Sequence, residues 1–314
     1  MKRCFLYPGQ GAQFPGMGKD FYDEYPDARE LFDAARAAAG FDVAELIFSG
    51  SADELKATDR SQVAITTMNL AARRVLLGRG IESAGAAGFS LGEYAALVDS
   101  GVLSEGDTLQ LVTLRGQIME RVSRSLDSDG GAAGMAAVIG MSPDAVIACL
   151  KDAGVAEAYP ANLNSPVQTV LSGTAAGLEQ AASALKEGGA RRVITLKVSG
   201  PFHSPLMQAA KDDFSRELAR FEFRDPQKPV YANVTGSAIN SGEEARRLCA
   251  EQLVAPLRWV DEESAILADG YDELLEVGPG EVLGGLWNSF IKGREEITLQ
   301  CLPAGKLEQI VAME

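Results

Sequence analysis

The residues best able to do chemistry begin with Ser90, which sits in Gly88-Phe89-Ser90-Leu91-Gly92. A serine hydroxyl is a weak nucleophile near neutral pH until a neighbouring base takes its proton. Glycines two residues before and after it allow a strand to turn sharply into a helix and project the hydroxyl outward. The context agrees, because 84–89 reads as an alanine-rich strand and Glu93-Tyr94-Ala95-Ala96-Leu97 continues as a helix. In a chain with 33 glycines the motif is weak alone, so its meaning depends on a base. His203 is the only histidine. A lone histidine is more often structural than catalytic, but Ser199-Gly200-Pro201-Phe202-His203-Ser204-Pro205 is a rigid turn after a predicted strand, where site residues tend to lie. Together Ser90 and His203 make a nucleophile and its base. With one histidine, metal sites that need a histidine pair, HExxH among them, are excluded.

Arg115 is the third informative residue. Ser104-Glu105-Gly106-Asp107 reads as a capping box opening a helix. On that helix Leu111, Val112, Ile118 and Met119 lie three and four residues from Arg115. A guanidinium in an apolar stripe needs an anion, since leaving such a charge buried and unpaired costs roughly 3–5 kcal/mol. Spacing alone leaves two choices open: an internal Asp or Glu, or a substrate carboxylate held by two parallel hydrogen bonds. Pro8-Gly9-Gln10-Gly11-Ala12-Gln13 follows the first predicted strand, and its glycines let backbone N–H groups approach a ligand. It is no dinucleotide fingerprint, because Phe14 stands where the third glycine would be, and no GxxxxGK[ST] is present.

The elements that must hold these residues read as α/β. Short apolar runs alternate with longer amphipathic stretches, which predicts a sheet with helices on its faces. Strands are expected at 4–7 and 84–89, and helices at 26–39 and 63–77. The polar, glycine-rich stretch 127–131 reads as a linker. After it, 135–139, 143–153, 158–162, 169–172, 175–188 and 193–198 alternate as β-α-β-β-α-β, the split order of a ferredoxin-like unit. The expected organisation is a small module, 127–198, inserted into a larger α/β domain formed by 1–126 and 199–314.

Composition removes several classes of function. The chain has 314 residues, 46% hydrophobic and 23% charged, with a net charge of −15. That charge argues against nucleic acid and against an anionic membrane surface as partners. The apolar run after Met1-Lys2-Arg3 ends at Pro8, short of the about 7–15 residues of a secretory leader. No run reaches the about 18 apolar residues of a membrane span. Cys4, Cys149, Cys249 and Cys301 are scattered without CxxC spacing, as in a reducing compartment. The expectation is a cytoplasmic protein.

Taken together, Tyr7-Pro8-Gly9-Gln10-Gly11-Ala12-Gln13, Arg60-Ser61-Gln62, Gly88-Phe89-Ser90-Leu91-Gly92-Glu93-Tyr94, Leu114-Arg115-Gly116, Asn162-Leu163-Asn164-Ser165-Pro166, Gly200-Pro201-Phe202-His203-Ser204, Tyr231-Ala232-Asn233-Val234, Gln252-Leu253 and Glu276-Val277-Gly278-Pro279-Gly280 resemble, in order and spacing, the malonyl-CoA:acyl carrier protein transacylases. They are also similar to acyltransferase domains of fatty acid and polyketide synthases. The resemblance implies an α/β-hydrolase-like domain with an inserted ferredoxin-like subdomain. It implies malonyl transfer from malonyl-CoA to the phosphopantetheine thiol of acyl carrier protein, with the coenzyme A thioester as substrate and no cofactor. By the same resemblance Ser90 carries the acyl group and His203 is its base, oriented by the Gln252 backbone. Gln10 and Leu91 give the oxyanion-hole N–H groups, Arg115 binds the malonyl carboxylate, and Gln62, Met119, Asn162 and Asn233 line the pocket.

Two positions depart from the family pattern. Phe89 stands where histidine usually precedes the nucleophile, and Trp287-Asn288-Ser289 replaces a Lys-Arg or Lys-Lys pair suited to an acidic carrier protein. Two other readings share parts of the site. A serine thioesterase or esterase would use Ser90 and His203 without needing Arg115, and would normally add an acidic third member. A catalytically silent carrier-binding module would need none of the three.

Overall fold

The computed structural model describes residues 1–127 and 131–313, so most of the expected linker at 127–131 lies outside the described residues. Ten strands are defined among the described residues: β1 (Arg3–Tyr7), β2 (Gly85–Gly88), β3 (Gly134–Ile139), β4 (Ala158–Ser165), β5 (Gln168–Gly173), β6 (Arg192–Thr195), β7 (Tyr231–Ala232), β8 (Ser237–Ala238), β9 (Glu273–Glu276) and β10 (Cys301–Pro303). The fold is α/β, with a parallel sheet in the order β10-β9-β1-β2 at the centre of the larger body.

Cys4 to Tyr7 are buried on both faces of β1, as expected for a central parallel strand covered on each side by helices. The helix Thr58–Gly78 is buried over most of its circumference and packs beside Glu105–Ser125 in the main core. It begins five residues earlier than the apolar spacing predicts. Its first residues include Thr58, Ser61 and Gln62, which are buried and polar and give no apolar signal.

A second sheet, β4-β5-β3-β6, is antiparallel throughout. The helices Pro143–Asp152 and Ala175–Glu187 cover one of its faces, where Val138, Val146, Leu150, Leu171, Ala181 and Leu185 form a separate cluster. Alternation along the strands sends Met135, Ala137 and Val170 to the other face, towards the main core. The edge strand β4 is tied to the larger body by Leu163 N–H to Leu257 O and Leu257 N–H to Ala161 O, both 2.8 Å. The strand expected over 193–198 ends at Thr195. β6 is an edge strand; Leu196 N–H still donates to Met135 O at 2.9 Å, and Leu196, Lys197 and Val198 line a cavity between the two bodies.

Candidate active site

Strand β2 runs straight into the helix Gly92–Asp99, and Ser90 occupies the turn with φ 52°. A non-glycine residue in the left-handed region is strained and persists only where its surroundings impose it. The surroundings here are explicit. A Cβ at Gly88 would stand 2.1 Å from the Gly92 carbonyl, and one at Gly92 would stand 1.9 Å from Tyr7 O. Asn233 completes the clamp: its Oδ1 accepts from Ser90 N–H at 2.8 Å, while its Nδ2 donates to Gly88 O at 2.7 Å and to Glu262 at 2.8 Å. Asn233 thus lies behind the turn rather than in the wall of the cavity, a place that adjacency to the pocket motifs could not distinguish.

His203 also has positive φ, 58°. Its Nε2 lies 2.8 Å from Ser90 Oγ and its Nδ1 lies 2.6 Å from the Gln252 carbonyl oxygen. A carbonyl can only accept, so Nδ1 carries the proton and Nε2 is free to accept from the serine hydroxyl. Burial, then the charge of Arg115, pushes the imidazole down to about 3, and it is therefore neutral at physiological pH. The partner on the far side of the ring is a backbone carbonyl and not a carboxylate, so this is a dyad. The turn is fixed by Ser204 Oγ donating to Pro201 O at 2.6 Å and by Ser172 Oγ donating to Phe202 O.

The helix Glu105–Ser125 starts at Ser104, whose hydroxyl accepts from Asp107 N–H at 3.0 Å and donates to the Asp107 carboxylate at 2.7 Å. It carries Arg115 into the interior with 1% exposure. The first alternative, an internal Asp or Glu on the guanidinium, is not realised among the described residues: Nη1 donates to Gln62 Oε1 at 2.9 Å and Nη2 to Gln252 Oε1 at 2.8 Å. Nε has no hydrogen-bond partner among the described residues, and the Tyr94 ring lies 5.5 Å below the guanidinium. Two neutral amides orient this cation without neutralising it.

Ser90, His203 and Arg115 all open onto one cavity of about 350 Å³, whose wall includes Gln10, Met119, Asn162 and Phe202. Gln62 and Gln252 sit behind Arg115 and reach the cavity through it. A Cβ on Gly9 would stand 2.3 Å from Phe89 O, so this glycine brings the loop carrying Gln10 against the turn carrying Leu91. Sequence reasoning missed Asn164 and Gln168 in the wall. Asn164 lies beyond the strand end expected at 162 and at a register irregularity between Leu163 and Ser165, so no regular period announced it. Both asparagines are 6% exposed and neither Oδ1 has a hydrogen-bond partner among the described residues. Phe89 also lines the cavity, packed edge-on against Trp259 at 5.3 Å. Trp287 is fully buried, its Nε1–H donating to Leu299 O at 2.8 Å.

A strained serine, a buried neutral histidine and a cleft with a fixed cation define an acyl-transferring serine enzyme. Residues 4–297 match the family described as "Acyl transferase domain", and the chain belongs to that family. It is 39% identical over 288 residues to a malonyl CoA-acyl carrier protein transacylase of Bacillus subtilis (strain 168), covering 91% of this chain and 89% of that one. The Escherichia coli (strain K12) protein of the same name is 38% identical over 285 residues, covering 90% and 91%. The crystal structure of an acyl carrier protein S-malonyltransferase from Vibrio cholerae superposes with TM-score 0.92 at 35% identity over 100% of both chains. A malonyl-transacylase solved in complex with a type II PKS acyl-carrier protein superposes equally well, TM-score 0.92, at 32% identity over 99% of this chain and 98% of that one.

Proposed function

We propose that this enzyme transfers a malonyl group from coenzyme A to the thiol of acyl carrier protein through a malonyl ester on Ser90, supplying units for fatty acid or polyketide synthesis. The observation that carries the reading is one cavity that holds the Ser90–His203 pair, 2.8 Å apart, and a buried arginine that, among the described residues, no carboxylate contacts directly.

The sequence of events follows from the groups present. The malonyl carboxylate meets Arg115, where a charge-assisted pair replaces water poorly matched to the guanidinium. Ser90 Oγ attacks the thioester carbon as its proton passes to His203 Nε2, and the Gln252 carbonyl stabilises the imidazolium at Nδ1. The oxyanion points to the backbone N–H groups of Gln10 and Leu91. Neither donates a backbone hydrogen bond to protein among the described residues, and losing one such donor typically costs about 10²–10³ in rate. Collapse expels the coenzyme thiolate, which takes the proton from His203. The carrier thiol then attacks the ester with the same residues in reverse order.

The two bodies fit a division into a hydrolase-like domain, 1–126 with 199–314, and a ferredoxin-like subdomain, 127–198. The order β4-β5-β3-β6 with both helices on one face supports the second assignment. Cytoplasmic residence is supported by four free cysteines; among the described residues no helix is long and apolar enough to cross a membrane. A hydrolase on the same turn is disfavoured by the carbonyl partner of His203 and by Arg115. The test is incubation with malonyl-CoA, with and without acyl carrier protein. A malonyl adduct on the Ser90 peptide that is passed to the carrier is expected; release of free malonate at the same rate without an acceptor would contradict transfer.

A further inference from the structure

Behind the cavity, one side chain connects the cation to a carboxylate that the transfer mechanism does not use. Gln252 Oε1 accepts from Arg115 Nη2 at 2.8 Å, and Gln252 Nε2 donates to Glu93 Oε2 at 2.5 Å and to Ser90 O at 3.0 Å. Both ends of the amide are therefore assigned, and a single amide separates the guanidinium from the carboxylate. Glu93 is 1% exposed, on the first turn of the helix that follows Ser90. Its Oε2 also faces Asn233 N–H at 3.4 Å, and its Oε1 has no hydrogen-bond partner among the described residues.

We infer that Glu93 is the resting counter-charge of Arg115, acting through Gln252, and that the malonyl carboxylate displaces it in that role, with Glu93 taking up a proton as the substrate binds. This rests on the reading that Arg115 holds the malonyl carboxylate. The charge balance is simple. At rest the buried region holds one cation and one carboxylate. Malonyl binding adds a second carboxylate to a desolvated site, where like charges repel strongly. One proton from solvent restores neutrality, and no bond to carbon changes.

Glu93 is suited to that exchange by its neighbours. The titratable groups facing it are Arg115 from the helix Glu105–Ser125, Cys249 from Gly242–Glu251, Glu262 from Trp259–Ala268 and Tyr94 from its own helix. Burial raises Cys249, Glu262 and Tyr94 and keeps all three protonated, with the charge of Glu93 adding to the rise in each. Burial also raises Glu93, but Gln252, Asn233 N–H and Arg115 oppose it, so the carboxyl is pushed up only to about 7. Among these groups it is the one able to change charge near neutral pH. Glu93 does not line the cavity, so its effect on a bound substrate would pass through Arg115.

The sign is fixed. Neutral Glu93 leaves Arg115 fully available, so malonyl-CoA binds better at low pH, and KM rises by up to about tenfold per unit above the Glu93 transition. The experiment measures kcat and KM for malonyl-CoA from pH 6 to 9 in wild type and Glu93→Gln, with acetyl-CoA as the control that shares the coenzyme but lacks the carboxylate. The expected result is a malonyl KM in Glu93→Gln that is flat with pH and, at pH 9, about tenfold or more below wild type, with acetyl KM parallel in both proteins. Identical pH dependence of malonyl KM in the two proteins would overturn the inference. Should Glu93→Gln not fold, calorimetry of malonyl-CoA binding to Ser90→Ala at pH 8, in buffers of different ionisation heat, decides the matter. Uptake approaching one proton for malonyl-CoA and none for acetyl-CoA supports the exchange; equal uptake for both overturns it. The underlying reading fails separately, if Arg115→Ala leaves the malonyl-to-acetyl ratio unchanged.

Discussion

The two sides of the cavity are built by different means. On the reacting side, Ser90 and His203 both stand in left-handed backbone conformations, and contacts to the main chain fix them: the Gln252 carbonyl on His203, tight approaches at Gly88 and Gly92, and side chains bonded to the Ser90 amide and to the carbonyls of the His203 turn. On the charge-holding side, Arg115, Gln62 and Glu93 sit on regular helices, and together with Gln252 they are linked entirely through side chains. In the proposed transfer, backbone strain positions the atoms that exchange bonds, and buried side-chain polarity selects what arrives. The first should tolerate no change of residue type at the reacting atoms. The second should tolerate change while altering substrate preference.

Substitutions can break this comparison in order of effect. Ser90→Ala should abolish the malonyl adduct completely, read by intact-protein mass after exposure to malonyl-CoA; an adduct persisting on the same peptide would mean another nucleophile. His203→Ala should leave the protein folded and lower transfer by about 10³-fold or more, since the chain holds no second imidazole. Near-normal transfer at neutral pH would show that another group activates Ser90.

The pH dependence sharpens the same point. His203 works as a base only when neutral, and its folded-state value is held down to about 3. The acylation rate at saturating malonyl-CoA should therefore stay flat as pH falls through 6.5, declining only near the acid limit. A decline centred at 6.5 would place the imidazole in a far more solvated setting. The smallest effect is expected at Phe89, whose ring packs on Trp259 and lines the cavity without bonding to Ser90 or His203. Phe89→His should change kcat/KM by less than about threefold and cost about 0.5–1.5 kcal/mol of stability from the lost aromatic pair, measured by denaturant unfolding.

How much of this was legible in the residues themselves follows the same division. The strained turn announced itself through Gly88 and Gly92, and His203 through being the single histidine. The order β3, helix, β4, β5, helix, β6 followed from alternating apolar periods and turn residues. Arg115 stood out as a charge in an apolar stripe, but its partners did not. Gln62 and Gln252 are 190 residues apart and meet only in the folded chain. Glu93 read simply as a residue continuing the helix after Ser90, because an acidic residue in a first helical turn is ordinary. Asn233 was recognisable only by family pattern, and its place behind Ser90 depends on long-range packing that no local period encodes. Trp287, at a position where the family often presents a cation, is apolar core.

The central claim is that Arg115 selects malonyl groups for a Ser90–His203 transferase. Its most direct test is kcat/KM for malonyl-CoA and for acetyl-CoA in wild type and Arg115→Ala. Two hydrogen bonds to a charged group, at about 1.5–3 kcal/mol each, predict a fall of roughly 10²–10⁴ in the malonyl-to-acetyl ratio. Acetyl transfer should rise in absolute terms, because the buried cation that an acetyl group would desolvate without pairing is gone. A ratio equal to that of wild type, with both substrates slowed together or neither affected, would show that Arg115 is purely structural and would contradict the account.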